Sequence, residues 1–277
     1  MSDILLNSLF KEEEIQKERG AVIEEMNMYQ DTPMRYIGDI FEELLYGDTA
    51  LGRKVIGTKE ILKNMKRDDF INYFKKNYNS RNIIISVAGK FKDINLEKFL
   101  GDVKKGKKSE YKKYEDKQIK PELRIVDKNT DQAQVAIGYK TFSIFDKRRT
   151  TLDVLATILG GGMSSRLFIE VRERQGLCYF VRTLAEHYLD QGYIGTFSGV
   201  TLNKIDKAIK IILQEHKKII TDGISISIND YFKEVDNVTV TAIKITANEL
   251  FIKEKLNLAI IGPFNGEENR FKKLLEL

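Results

Sequence analysis

At 277 residues, with 42% hydrophobic and 31% charged composition, the chain is long enough for one large or two medium domains with hydrophobic cores. Its 46 basic and 41 acidic residues leave a net charge of only +5, and no run approaches the roughly 18 consecutive apolar residues of a membrane helix, so neither nucleic-acid nor membrane partners are expected. The single Cys178 excludes an internal disulfide and the opening MSDILLNSLF does not read as a signal peptide, so the expected location is cytoplasmic.

In chain order, helices are predicted near 11–30 and 34–46. A helix over KRDDFINYFKKNY, a strand over NIIISVAG, Phe91 and a further helix then complete residues 66–100. The stretch DVKKGKKSEYKKYEDKQIK, residues 102–120, is almost free of aliphatic side chains and runs into Pro121; it cannot bury a face and reads as a lysine-rich linker, without a nucleic-acid motif.

Beyond it, strands are predicted near 124–128, 132–140, 179–188 and 191–200, with helices near 147–158, 165–174 and 203–220. The short connection between the last two strands suits an antiparallel pair and argues against a strictly parallel sheet. Residues 238–275 then repeat the earlier order: helix (VTVTAIKITANELF), strand (LNLAIIG), Phe264, helix. Both halves thus end in one supersecondary unit, but the first half has only helices before it. The class is α+β, with a headless first copy.

Several residues could carry chemistry. Glu18 and Glu25 stand seven apart, which on a helix places both carboxylates on one face about 10 Å apart. A zinc peptidase needs three protein ligands, an open position for water and a carboxylate base, so Glu25 could supply one part and Glu18 support it; the plain alternative is a pair of solvated acids on a charged helix. Arg172 and Tyr179 are separated by six residues; the plain reading puts Arg172 in surface ion pairs and the Tyr179 ring in the core. Gly160, Gly161 and Gly162 lack a following G-K-[ST], so a turn is expected rather than a phosphate loop. Cys178 reads as a packing residue. His187 and His216, the only histidines, are surface or strand residues in this reading, cannot be paired at i, i+4, and belong to no H-x-x-E-H.

The wording around these residues resembles the pitrilysin/insulinase family of zinc metallopeptidases, particularly its processing-peptidase branch. ERGAVIEEM with YQDTP, then ELLYGDTALGRKVIGTKEIL and NIIISVAGKF, are similar to its first half; TDQAQVAIGYKTF and LATILGGGMSSRLFIEVRERQGLCYFV are similar to its second domain. The resemblance implies two homologous mixed α/β lobes, an incomplete one at 1–103 and a substrate-binding one at 122–277, joined by a linker at 104–121. It implies peptide hydrolysis with Zn2+, Glu25 as the distal ligand, Glu18 orienting a ligating histidine, Arg172 and Tyr179 reaching the substrate backbone and the tetrahedral intermediate, and Gly160 to Gly162 as a substrate-contacting loop. Two departures qualify it: the H-x-x-E-H segment is absent, and the second lobe is shortened near 224–230. The isolated chain is therefore expected not to hold zinc tightly and to be inactive. The alternative is a non-catalytic peptide-binding subunit of a two-chain peptidase. A homo- or hetero-oligomer, or a separate chain supplying H-x-x-E-H, is the expected partner besides a peptide substrate.

Overall fold

The computed structural model describes residues 2–90, 95–222 and 238–276. The expected shortening near 224–230 and Phe91 of the repeat lie outside them. The chain divides into two compact units, one of Met1–Met28 with Val55–Lys112 and one of Tyr29–Lys54 with Lys113–Leu277.

The second unit is built on a mixed five-stranded sheet in which β1 (Glu122–Asp127), β2 (Gln132–Thr141), β3 (Cys178–His187), β4 (Gly192–Thr201) and β5 (Leu256–Gly262) lie in the order β1-β5-β2-β4-β3. β1 runs parallel to β5; the other neighbours are antiparallel, including the predicted β3–β4 hairpin. Alternation along the strands sorts side chains between faces. Val135, Ile137 and Tyr139 of β2 and Leu256, Leu258 and Ile260 of β5 face one way; Ala136, Ala259 and Ile261 face the other.

Helices α7 (Arg149–Gly160), α8 (Ile205–Asp222), α9 (Val240–Leu250) and α10 (Glu268–Leu274) cover the first face with Leu155, Leu159, Ile209, Ile212, Ala247 and Phe271. The second face is covered by α3 (Pro33–Tyr46). Pro33 opens this helix where a missing N–H costs nothing, and Ile37, Ile40, Phe41 and Leu45 form one apolar stripe over Tyr193, Ala259 and Ile261. Although α3 falls within residues 1–103, assigned from sequence to one lobe, its stripe is spent on this sheet, because a sheet apolar on both faces needs a cover on each. Glu42 on the rim of α3 accepts hydrogen bonds from the hydroxyls of Tyr188 (2.6 Å) and Tyr193 (3.2 Å), and burial pushes its carboxyl above the usual carboxylate range.

The first unit contains α1 (Ser2–Leu6), α2 (Glu12–Gln30, to Met28), α4 (Lys59–Asn64), α5 (Arg67–Asn77) and α6 (Leu96–Leu100). The strand predicted over 82–89 does not form: the segment has no strand assignment and no ladder partner among the described residues. A strand exists only through its neighbours, and the described residues of this unit offer none.

Candidate functional site

Between the end of α7 and the start of β3 the backbone of the second unit is irregular, holding a π-helix and, at the start of the strand, a register shift. Gly160 closes α7 against that strand: a Cβ there would stand 2.4 Å from the Thr183 amide nitrogen, so the residue is needed for close packing. Gly161 and Gly162 are exposed, and a Cβ on Gly162 would meet nothing within 4 Å. Of the three glycines, only these two are placed where a ligand could reach them.

The predicted helix near 165–174 exists, but over Phe168–Arg174 it widens to a π-helix. Such turns are rare and recur at functional sites. Leu167, Val171 and Leu177 fix its inner side in the core, and Arg166 Nε reaches the buried Glu215 Oε2 at 3.0 Å, tying the segment to α8. Gly176, at φ +55°, turns the chain back; its amide donates to the Arg172 carbonyl and the Leu177 amide to that of Val171.

Arg172 is left on the outer side, 43% exposed. Its guanidinium carbon lies 4.7 Å over the Phe168 ring, and its ion pair with Glu173 is at the 4.0 Å limit. Phe168 is the supporting residue that sequence reasoning missed; a ring four positions before an arginine in helical register was the available signal. Stacking orients the cation and leaves its donors available to a further partner.

Tyr179 is 77% exposed, contrary to the plain reading that puts its ring in the core. The ladder explains this: Cys178 pairs with Val200 and Phe180 with Gly199, so Tyr179 is the extra residue of a β-bulge, a device that re-aims a side chain out of the pleat. Its hydroxyl has no partner among the described residues. Between the two, Cys178 is half-buried; burial raises its thiol pKa, while the Ser198 side chain and the charge of Arg172 pull the other way.

Glu18 and Glu25 belong to the first unit and both are exposed on α2. His187 Nε2 lies 2.7 Å from Asp153 Oδ1, linking β3 to α7. His216 corrects the expectation of a surface or strand residue: it is buried on α8, its Nε2 3.1 Å from Thr196 Oγ1 and its ring stacked on Phe251, and burial lowers its pKa to about 3. Among the described residues no group of three His, Cys, Asp or Glu could hold a metal ion. Two exposed glutamates and two histidines already engaged elsewhere are not a catalytic zinc donor set, and these residues by themselves do not fit one.

The fold and the segment define a class, the M16-type α/β peptidase lobe. The family profile described as the peptidase M16 inactive domain matches residues 64–233, and the chain belongs to that family. It is 33% identical over 229 residues to the uncharacterized zinc protease YmxG of Bacillus subtilis, covering 81% of this chain and 55% of that protein. It is 31% identical over 236 residues to an uncharacterized zinc protease of Streptomyces coelicolor, covering 80% and 51%. The chain thus spans about half the length of the curated relatives it matches. A peptidase M16 inactive domain from Pseudomonas fluorescens shares the fold at TM-score 0.81 and 14% identity, over 95% of this chain and 73% of that one. Zinc belongs to the names of the relatives, and no helix among the described residues is long and apolar enough to cross a membrane.

Proposed function

We propose that this chain is a peptide-holding component of an M16 metallopeptidase, with Arg172 and Tyr179 as its contacts to the substrate backbone and with the zinc-binding histidines supplied by polypeptide outside these 277 residues. The observation that carries this reading is the pairing of a π-turn and a β-bulge around one short segment, which leaves an oriented guanidinium and an unpartnered phenol facing outward. Both groups donate hydrogen bonds suited to a peptide carbonyl, and the same bonds strengthen when negative charge develops on that oxygen. Exposed Gly161 and Gly162 offer backbone to an extended chain beside them. Glu18 and Glu25 keep the roles of second-sphere acid and distal ligand only in such an assembly; the chain alone is not expected to hydrolyse peptides.

Fluorescence anisotropy with labelled oxidised insulin B chain tests the reading. Arg172→Ala is expected to weaken binding about tenfold and Tyr179→Phe about threefold, on the scale of one or two lost hydrogen bonds, with unchanged urea midpoints. Equal affinity of wild type and Arg172→Ala would refute the assigned contacts. Zinc-dependent cleavage by the purified chain alone would refute the division of labour.

A further inference from the structure

The turn between β5 and α10 holds the one Asn-Gly pair of the sequence, Asn265–Gly266. The Glu267 amide closes it by donating to the Phe264 carbonyl at 3.1 Å, and Gly266, at φ +78°, takes a conformation that turns ask of glycine. Both residues are exposed, and a Cβ on Gly266 would meet nothing within 4 Å. Neither the Asn265 carboxamide nor the Gly266 amide makes a hydrogen bond among the described residues. An electrophilic carbonyl carbon thus stands next to an unhindered nitrogen.

The two Asn-Ser pairs of the sequence lack these conditions. Asn79, before Ser80, is buried, and its side-chain amide donates to the Lys76 and Lys107 carbonyls at 3.0 and 3.3 Å. Asn7, before Ser8, donates to Asp3 Oδ1 at 2.8 Å. In both, the serine side chain also crowds the nitrogen that would have to react.

We infer that Asn265–Gly266 is a self-modification site, where the folded chain converts asparagine to aspartate and isoaspartate without an enzyme. The Gly266 nitrogen gives its proton to solvent base and bonds to Asn265 Cγ. The Cγ–Nδ2 bond breaks, that nitrogen leaves as ammonia, and a five-membered imide closes. Water then opens the ring: cleavage at Cγ leaves aspartate, and cleavage at the main-chain carbonyl leaves isoaspartate, whose backbone runs through Cβ and Cγ. Either route exchanges NH2 for OH, adds one negative charge and needs no oxidant or reductant. The attack requires rotation about the Asn265 Cα–C bond, which an exposed turn containing glycine permits by opening one hydrogen bond.

The isoaspartate product puts an extra backbone carbon into the turn. Before it, Phe264 is buried with its ring 5.3 Å from that of Phe271; after it, Arg270 binds Asp206 of α8 at 2.9 Å. The lengthened turn therefore disturbs the seating of α10 on the core. This does not depend on the reading of Arg172 and Tyr179.

The full chain is incubated at pH 7, 8 and 9 and 37 °C and followed by peptide mapping with mass spectrometry. The Asn265 peptide should gain about 1 Da and split into two isomers, faster at higher pH because the deprotonated amide is the attacking species, while the Asn79 peptide stays unchanged. Asn265→Gln, whose imide would need a six-membered ring, should slow conversion by roughly tenfold or more. Aged wild type should lose urea midpoint and aged Asn265→Gln should not. An Asn265 peptide that converts after digestion but not within the folded chain would overturn the proposal, as would equal conversion at Asn79. Equal loss of midpoint in the two aged proteins would overturn the link to α10.

Discussion

The two units are made of similar helices and differ in what those helices have to cover. In the second, a sheet apolar on both faces receives four helices on one side and α3 on the other, and β2 and β5 are buried almost throughout. In the first, the buried apolar side chains among the described residues are Ile15 and Met26, while Leu9, Val55, Ile61, Tyr73 and Ile84 are exposed. Burial of apolar area at about 25 cal/mol per Å2 is what offsets chain entropy. Helices with no sheet to lie on cannot collect it, so stability is expected to reside almost wholly in the second unit.

The strongest way to break that comparison is to remove one ring from each unit. Phe271 is fully buried in the second unit, and Phe271→Ala should cost about 3–5 kcal/mol in urea unfolding. Tyr73→Ala, at an exposed ring of α5, should stay within about 0.5 kcal/mol. Comparable losses would show that the first unit shares one cooperative core with the second.

A pH titration of stability provides the next largest effect. The folded pKa of His216 lies near 3, below its ordinary 6.5, because burial penalises the imidazolium. The unfolded chain therefore takes up the proton first. The contribution is complete above about pH 6.5 and is lost as pH falls towards 3, on the order of several kcal/mol. Wild type minus His216→Phe should isolate this limb, since phenylalanine keeps the stack on Phe251. A difference that does not vary between pH 7 and 4 would contradict the buried neutral imidazole. Exchange of first-unit amides should lack this acid limb.

Gly160→Ala and Gly162→Ala separate packing from access within one loop. The first forces a Cβ against the backbone of β3 and should cost about 1–3 kcal/mol; the second, in open space and without a left-handed φ, should change stability by less than about 0.5 kcal/mol. Thermal melts of the two variants that coincide would remove the distinction drawn between them.

Much of the second unit was legible in the sequence, because its signals are local. Alternation in β2, the close spacing of β3 and β4, and the stripe of α3 each depend on a few neighbouring residues. What depended on distant partners was not legible. Residues 82–89 carry a strand's composition but lack neighbours, and α3 shows its stripe without naming the sheet it will cover. Glu215 and His216 look like the polar side of α8, yet both are buried, compensated by Lys218 one turn along the helix and by Arg166 and Thr196 from outside the local pattern. The Arg172 and Tyr179 pair was picked out through resemblance; the π-turn and bulge that expose it arise from how the segment is pinned to α8 and β4, which no periodicity encodes.

Capping residues offer the finest test, because a threonine N-cap is found in each unit. Thr58 caps α4 by accepting a hydrogen bond from the Ile61 amide at 3.3 Å, and Thr239 caps α9 by accepting one from Ala242 at 3.0 Å. Replacing such a cap with alanine typically costs about 1 kcal/mol of helix stability. Helix α9 packs Ile243, Ala247 and Leu250 into the core, so Thr239→Ala should lower the global unfolding free energy by about that amount. No residue of α4 is buried. Thr58→Ala should therefore leave the global transition in place and appear only as faster amide exchange within Lys59–Asn64. If both variants shift the global midpoint equally, α4 is coupled to the folded core, and the contrast between a unit with a core and one without it fails at this helix.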